Sequence, residues 1–444
     1  MNKITQVIKR SGAIVPFNPA RISNAIYRAA VSVGGRDKAR AEWLTEQIVE
    51  LLEQRSPQGH IPHIEEIQDI VEGVLIENGH SQVAKEYILY REKRALTRQD
   101  TDTTQHTGNI PWSKIWRTLD WAIEHNLHTV EALNARVSLG EFEAIVLESE
   151  AAYEEEVLQA AQQIAARSAE LKMVIISGPS SSGKTTTTIK LEQRLKKNGF
   201  KFVPLNVDNY FYNLEMHPKD EFGDYDFETP QALDLELINN HLQRLIQGEQ
   251  VSIPFYDFKT GRRSMDQTPM QLKEDEILLI DSLHGLFPKM TSGISDSSKF
   301  KVYLEPLLQM KGPDGRYIRW ADLRLIRRML RDAAHRAYDP QKTLLHWHYV
   351  RASELRYIIP HISTTDVIIN SGMPYEVSLY SPLLLDRFAE WEVKYKEDPL
   401  RHDAHERAAR LHQLLQEVEP VEDDSAVPSD SVIREFIGGS ILEY

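Results

Sequence analysis

The residues that point most directly to a chemistry are Gly178-Pro-Ser-Ser-Ser-Gly183-Lys184-Thr185. A short apolar run, Met173-Val-Ile-Ile-Ser177, precedes them, and Ile189, Leu191 and Leu195 follow at helical spacing. A strand, a glycine-bounded loop and a helix in that order cradle a polyphosphate. Backbone N–H groups turn inward on the β-phosphate, and the helix N-terminus adds its positive dipole. Lys184 reaches the β and γ oxygens, and Thr185 can hold Mg²⁺. Gly178, Ser180, Ser181, Ser182, Gly183, Lys184, Thr185 and Thr186 are therefore the candidate nucleotide-binding residues, with ATP and Mg²⁺ as the expected ligands. Asp208 follows the apolar run ending at Val207, and Asp281 follows the run ending at Ile280. Parallel sheets bind ligands at the carboxyl ends of their strands, so both carboxylates are expected on that rim, where they can hold Mg²⁺ and activate an acceptor hydroxyl.

These residues need a scaffold. From Lys172 onward, short apolar runs at 173–177, 201–207, 276–280, 300–304 and 366–369 alternate with helical stretches, the pattern of a parallel α/β sheet covered on both faces. The N-terminal part reads differently. Residues 3–10 and 13–17 form a hairpin around Ser11-Gly12, followed by four amphipathic helices, the first entered through Asn18-Pro19 and the last running from about 81 to 98. The polar stretch 101–108 reads as a linker, and 110–170 as packing helices carrying Trp112 and Trp116. The expected domains are 1–98, a helical connector over 99–170, the α/β domain over 171–390 and a C-terminal helix and tail over 391–444.

Composition removes several alternatives. The 444 residues hold 41% hydrophobic and 27% charged types, the balance of a soluble globular protein. The 52 Lys and Arg against 66 Asp and Glu leave a formal charge of −14, the wrong sign for general attraction to nucleic acid or an anionic membrane. With no cysteine, thiolate nucleophiles, disulfides and cysteine-held metals are excluded. No apolar run approaches the ~20 residues that span a bilayer, and the start shows no signal-peptide core, so a cytoplasmic protein is expected.

Two resemblances add detail. Val7-Ile-Lys-Arg-Ser-Gly12, Pro16-Phe-Asn18, Arg21-Ile22, Ile67-Gln-Asp-Ile-Val-Glu72 and Ala84-Lys-Glu-Tyr-Ile-Leu-Tyr-Arg91 resemble an ATP-cone, a small α+β regulatory module that responds to ATP or dATP. The resemblance implies an allosteric site at Val7, Lys9, Arg10, Asn18 and Arg21, with Arg21 standing where the family usually has Lys. The apolar faces of these helices either fill the module's own core or support a homo-oligomer, which is the expected assembly. Residues 172–384 resemble the uridine kinase and phosphoribulokinase family through the phosphate loop, Asp208-Asn-Tyr-Phe211, Asp224-Tyr-Asp226-Phe227, Pro254-Phe-Tyr256-Asp257-Phe258, Asp281-Ser-Leu-His-Gly285 and Arg324-Leu-Ile-Arg327-Arg328-Met-Leu-Arg331-Asp332. The tail 429–440 recurs in a bacterial branch that this chain resembles.

That resemblance implies a P-loop nucleoside-kinase fold. It makes Asp208 the general base and Asp281 a magnesium carboxylate where uridine kinases usually have Glu. It has Asp226 bind the ribose hydroxyls and Tyr256 face the base. Arg324 and Arg327 are implied to bracket acceptor and phosphates, with Arg331 among the arginines of a lid over the transferring phosphoryl group. Two departures stand out. Gly261 occupies the place of a base-reading His, and Phe211 that of a Tyr, so the acceptor pocket is expected not to share the uridine and cytidine preference of ordinary uridine kinases. The expected activity is ATP- and Mg²⁺-dependent phosphorylation of a nucleoside's primary hydroxyl, under ATP or dATP control. A sugar phosphate or other small alcohol as acceptor, or a non-catalytic nucleotide sensor, stays open as an alternative.

Overall fold

The computed structural model describes residues 4–8, 14–56, 60–88, 110–218, 225, 227–336, 338–398 and 401–442. The chain divides into two compact units, Met1–Gln105 with Glu397–His402, and His106–Lys396 with Asp403–Tyr444.

In the first unit, β1 (Gln6–Ile8) pairs antiparallel with β2 (Ile14–Pro16), Val7 facing Val15. Helices α1 (Ala20–Ser32), α2 (Lys38–Arg55), α3 (Ile64–Glu77) and α4 (81–88) follow. The expected extension of α4 toward 98 and the linker at 101–108 lie outside the described residues. Helix α3 shows why these segments are helical. His63 and Glu66 close a capping box at its start, and Ile67, Ile70, Val71, Val74 and Leu75 make one buried stripe. With Val7, Ile26, Leu44, Ile48 and Leu52 they form this unit's core, each full side-chain burial contributing about 1.5–3 kcal/mol.

The second unit opens with α5 (Trp112–Glu124), α6 (Val130–Ser138) and α7 (Phe142–Ala166). Then come β3 (Met173–Ser177), α8 (Lys184–Lys197), β4 (Lys201–Asn206), α9 (Leu235–Ile246), β5 (Val251–Asp257), β6 (Arg262–Met270), β7 (Glu276–Ser282) and β8 (Lys299–Glu305). The chain continues with α10 (Trp320–Arg336), α11 (Pro340–Tyr357), β9 (Val367–Asn370), α12 (Glu376–Tyr395), α13 (His402–Glu417) and the short α14 (Arg434–Ile437). The five apolar runs expected as strands form one parallel sheet in the order β4-β7-β3-β8-β9. Its central strand β3 is buried throughout and serves two cores. Val174 and Ile176 pack with Tyr153, Val157 and Ile164 of α7 and Leu191 and Leu195 of α8, while Met173 and Ile175 pack with Ile238, Leu242 and Leu245 of α9. The α7 helix is thus part of the sheet's cover.

The β5–β6 hairpin has no counterpart among the expected strands. Pro254 lacks a ladder donor, and the register shifts between Ile253 and Phe255. Strand β6 is polar and mostly exposed, so it carries no apolar alternation to read. No helix among the described residues is long and apolar enough to cross a membrane.

Candidate active site

The loop from Gly178 to Gly183 joins the carboxyl end of β3 to α8, as the strand–loop–helix pattern predicts. Its backbone needs glycine at two points. A Cβ on Gly178 would collide with the Leu304 carbonyl, and Gly183 has φ +87° at the helix cap. Ser181 adopts φ +59°, a left-handed conformation that a non-glycine residue adopts at a cost of order 1–3 kcal/mol. The hydroxyls of Ser181 and Ser182 are buried with no hydrogen-bond partner among the described residues. Lys184 donates to the Pro179 carbonyl at 3.2 Å, within the loop. Buried donors turned into a loop at a helix N-terminus fit a bound polyphosphate, which would supply the missing acceptors.

Register places the carboxylates. Asp281 of β7 lies beside Ile176 of β3 and Asn206 of β4, two residues before the loop begins at Gly178. Asp208 sits two residues beyond Asn206 in a 3₁₀ turn, where the Asn206 side chain accepts its N–H at 2.9 Å. Burial pushes the Asp281 carboxyl up to about 6; Lys184 opposes the shift, and the carboxylates of Glu435 and Asp208 add to it. Burial likewise holds the Lys184 ammonium below the usual lysine value, with Asp281 and Glu435 opposing and Arg331 and Arg324 reinforcing. Lys184, Asp208, Asp281 and Arg331 therefore share one electrostatic neighbourhood. No cluster of three or more acidic or histidine side chains able to hold a metal occurs among the described residues. Mg²⁺ keeps its waters and binds through one or two carboxylates together with substrate phosphates; Thr185, Asp281 and Asp208 are the residues that would hold it.

The arginines of α10, which the sequence reading set around acceptor and phosphates, are paired within the fold, and two of them bond to Ser180 of the loop. Arg324 is buried, paired with Glu305 at 2.8 Å and bidentate on Glu354 at 2.5 and 2.9 Å, and it donates to the Ser180 carbonyl at 3.1 Å. Arg327 is fully buried against Glu376 at 2.7 and 2.9 Å and the Ser371 carbonyl at 2.7 Å. A guanidinium removed from water must be paired, and these partners already satisfy both. Arg331 pairs with neighbouring Asp332 at 3.2 Å. Arg328, part of the motif but given no role of its own in the sequence reading, links the Ser180 hydroxyl at 3.2 Å to Glu228 at 2.9 Å.

Tyr256, which the resemblance sets against the base, is buried in β5, and its hydroxyl has no partner among the described residues. Its ring lies 5.5 Å from Phe211, 4.9 Å from Phe258 and 6.2 Å from His217, the last nearly parallel at 20°. Phe227 stands edge-on to His217 at 4.8 Å. Asp226, expected to hold the ribose hydroxyls, lies outside the described residues. Gly261 has φ +67°, and a Cβ there would approach the Leu214 Cβ to 2.8 Å, so a side chain at this turn is strained. An imidazole reaches Tyr256 from His217 instead, with its Nε2–H donating to the Tyr212 carbonyl at 2.8 Å. His217 was missed from sequence because it lies six residues past Phe211, outside the motif; a His within the same short loop was the available signal.

In the first unit, Val7 is a core residue, the Asn18 side chain accepts the Ala20 N–H at 3.0 Å, and Arg21 is exposed. Lys9 and Arg10 lie outside the described residues.

Comparison with known proteins agrees with this division. Residues 5–96 match the ATP cone domain, and residues 173–378 match the Phosphoribulokinase / Uridine kinase family. A uridine kinase of Deinococcus deserti is 29% identical over 205 residues, which cover 46% of this chain and 89% of that protein. One from Bacillus pumilus is 28% identical over 46% of this chain and 88% of its own length. A vitamin B12-dependent ribonucleoside-diphosphate reductase of Thermoplasma acidophilum is 40% identical over 104 residues, 22% of this chain and 13% of the reductase. A family match over the residues that hold the phosphate loop and both rim carboxylates, and a separate match over the hairpin and its helices, identify the chain as an ATP cone domain joined to a domain of the Phosphoribulokinase / Uridine kinase family, a phosphotransferase acting on an alcohol group.

Proposed function

We propose that this chain transfers the γ-phosphoryl group of ATP to the primary hydroxyl of a nucleoside, and that its ATP cone is a second nucleotide site that regulates the transfer. The observation that carries the catalytic part is the register that sets Asp281 across from Ile176 at the carboxyl end of β3, in the electrostatic reach of Lys184 and Asp208. Lys184 and the loop amides hold the β and γ oxygens, and Asp208 accepts the acceptor's hydroxyl proton as the bond to phosphorus forms. Magnesium, bound through Thr185 and Asp281, would neutralise charge on the phosphates. The aromatic box of Phe211, His217, Phe227, Tyr256 and Phe258 suits a flat base, whose stacking rewards aromatic faces.

ADP release measured against uridine, cytidine, thymidine, deoxycytidine, purine nucleosides and small sugar alcohols tests this reading. Turnover on one or more nucleosides is expected. Turnover on sugar phosphates alone would move the acceptor class, and none on any alcohol would end the kinase reading. The order among nucleosides also decides whether His217 restores pyrimidine preference or whether Gly261 and Phe211 have removed it. A shift of rate with ATP or dATP that disappears in Arg21→Ala would support the cone as the effector site, since an effector must bind two states of the enzyme differently.

A further inference from the structure

The C-terminal segment lies against the phosphate loop and makes contacts that nothing in the proposed reaction uses. Glu435, in α14, places a carboxylate oxygen 2.9 Å from the Thr186 hydroxyl and 3.3 Å from the Thr186 N–H, in the first turn of α8. Val432 occupies the space a Cβ on Gly183 would need. Phe436 presents its ring face to the Arg327 guanidinium at 5.0 Å. Asp430 pairs with Lys190 of α8 at 2.9 Å, and Arg434 fixes the segment by donating to the Asp424 and Val427 carbonyls at 2.8 Å each.

First-turn amides after a phosphate loop are anion donors, and here an anion from the chain itself has taken the amide of Thr186 together with its hydroxyl. Phe436 anchors the segment over the Arg327 guanidinium, which Glu376 and Ser371 already hold. We propose that residues 430–437 act as an intramolecular competitor of the donor nucleotide, with Glu435 in place of a phosphate. Its carboxylate must leave Thr186 before ATP seats fully. This rests on the reading of the loop as a nucleotide site. Docked, the segment lowers apparent affinity by the fraction of molecules in which it is displaced.

The test is titration of the full chain with Mg·ADP, together with amide hydrogen exchange over 430–438. Glu435→Gln keeps the shape and loses the charge, and Phe436→Ala removes the ring. Both are expected to bind ADP more tightly, Glu435→Gln by about tenfold or more, equivalent to about 1.4 kcal/mol. In the wild type, saturating ADP is expected to speed exchange in the segment. A segment that only buttresses the loop predicts the reverse sign, with weaker or equal binding and equal or slower exchange, and either result overturns the proposal. The exchange arm uses the unmodified chain, so it decides even where a variant does not fold. ADP binding that the variants leave unchanged refutes the competitor alone; no ADP binding to any form refutes the loop reading and the competitor with it.

Discussion

The phosphate loop and helix α10 both read as binding machinery in the sequence, yet the structure treats their polar atoms in opposite ways. In the loop, Ser181 and Ser182 bury hydroxyls with no partner among the described residues. In α10, Arg324 and Arg327 are as deeply buried but have glutamate partners: Glu305 and Glu354 for one, Glu376 for the other. Polar groups left unsatisfied in a folded interior point to a ligand, whereas groups satisfied from within point to architecture. Motif and residue type alone do not separate the two cases; the partners do.

Four substitutions sharpen or break that contrast. The largest effect is expected from Lys184→Ala, which removes a preorganised charge from the transferring phosphate and should cut kcat by about a thousandfold or more with the melting temperature nearly unchanged. Wild-type-like turnover in the folded variant would remove the loop from the chemistry. Next is Asp208→Asn, which cannot accept the hydroxyl proton; kcat is expected to fall by about 10²–10⁴ while ATP affinity holds. Equal losses in rate and affinity would make Asp208 a binding residue.

Arg327→Ala should do the opposite of Lys184→Ala. It leaves Glu376 buried without its cation, a loss of roughly 3–5 kcal/mol that appears in denaturant midpoint and melting temperature before it appears in chemistry. Lost activity at unchanged stability would return Arg327 to the phosphates.

A pH-dependent effect on stability is expected at Asp281, whose carboxyl is raised from 3.8 to about 6 in the folded chain. The folded state holds that proton more tightly than the unfolded state, so stability falls as pH rises from about 4 to about 6, and the penalty is full above that window. Asp281→Asn is therefore expected to melt a few degrees higher than the wild type at pH 8 and at about the same temperature at pH 4, with phosphoryl transfer largely lost. The same melting difference at both pH values would show that charge is not its source.

What could be read from sequence follows the range of the signals. The five sheet strands were legible because each is a local apolar run, and the loop because its glycines, Lys184 and Thr185 are contiguous. The burial of Arg324 and Arg327 was not, because their partners lie 19 to 49 residues away in sequence and meet them only in three dimensions. Strand β6 was hidden by its polarity and β5 by Pro254. His217 was hidden because the resemblance puts the base-reading His at position 261, where the chain makes a turn that strains a side chain.

The alternation along β3 has a consequence for how this enzyme can diversify. Val174 and Ile176 answer to the core that backs α8 and the donor loop, while Met173 and Ile175 answer to the one that includes Phe211 and Tyr256. Substitutions in the two cores share few partners, so their energies should add. A lineage can therefore remodel what it phosphorylates by drifting in one set of side chains while the other keeps the donor grip intact, and the two histories leave separable marks on neighbouring residues of a single strand.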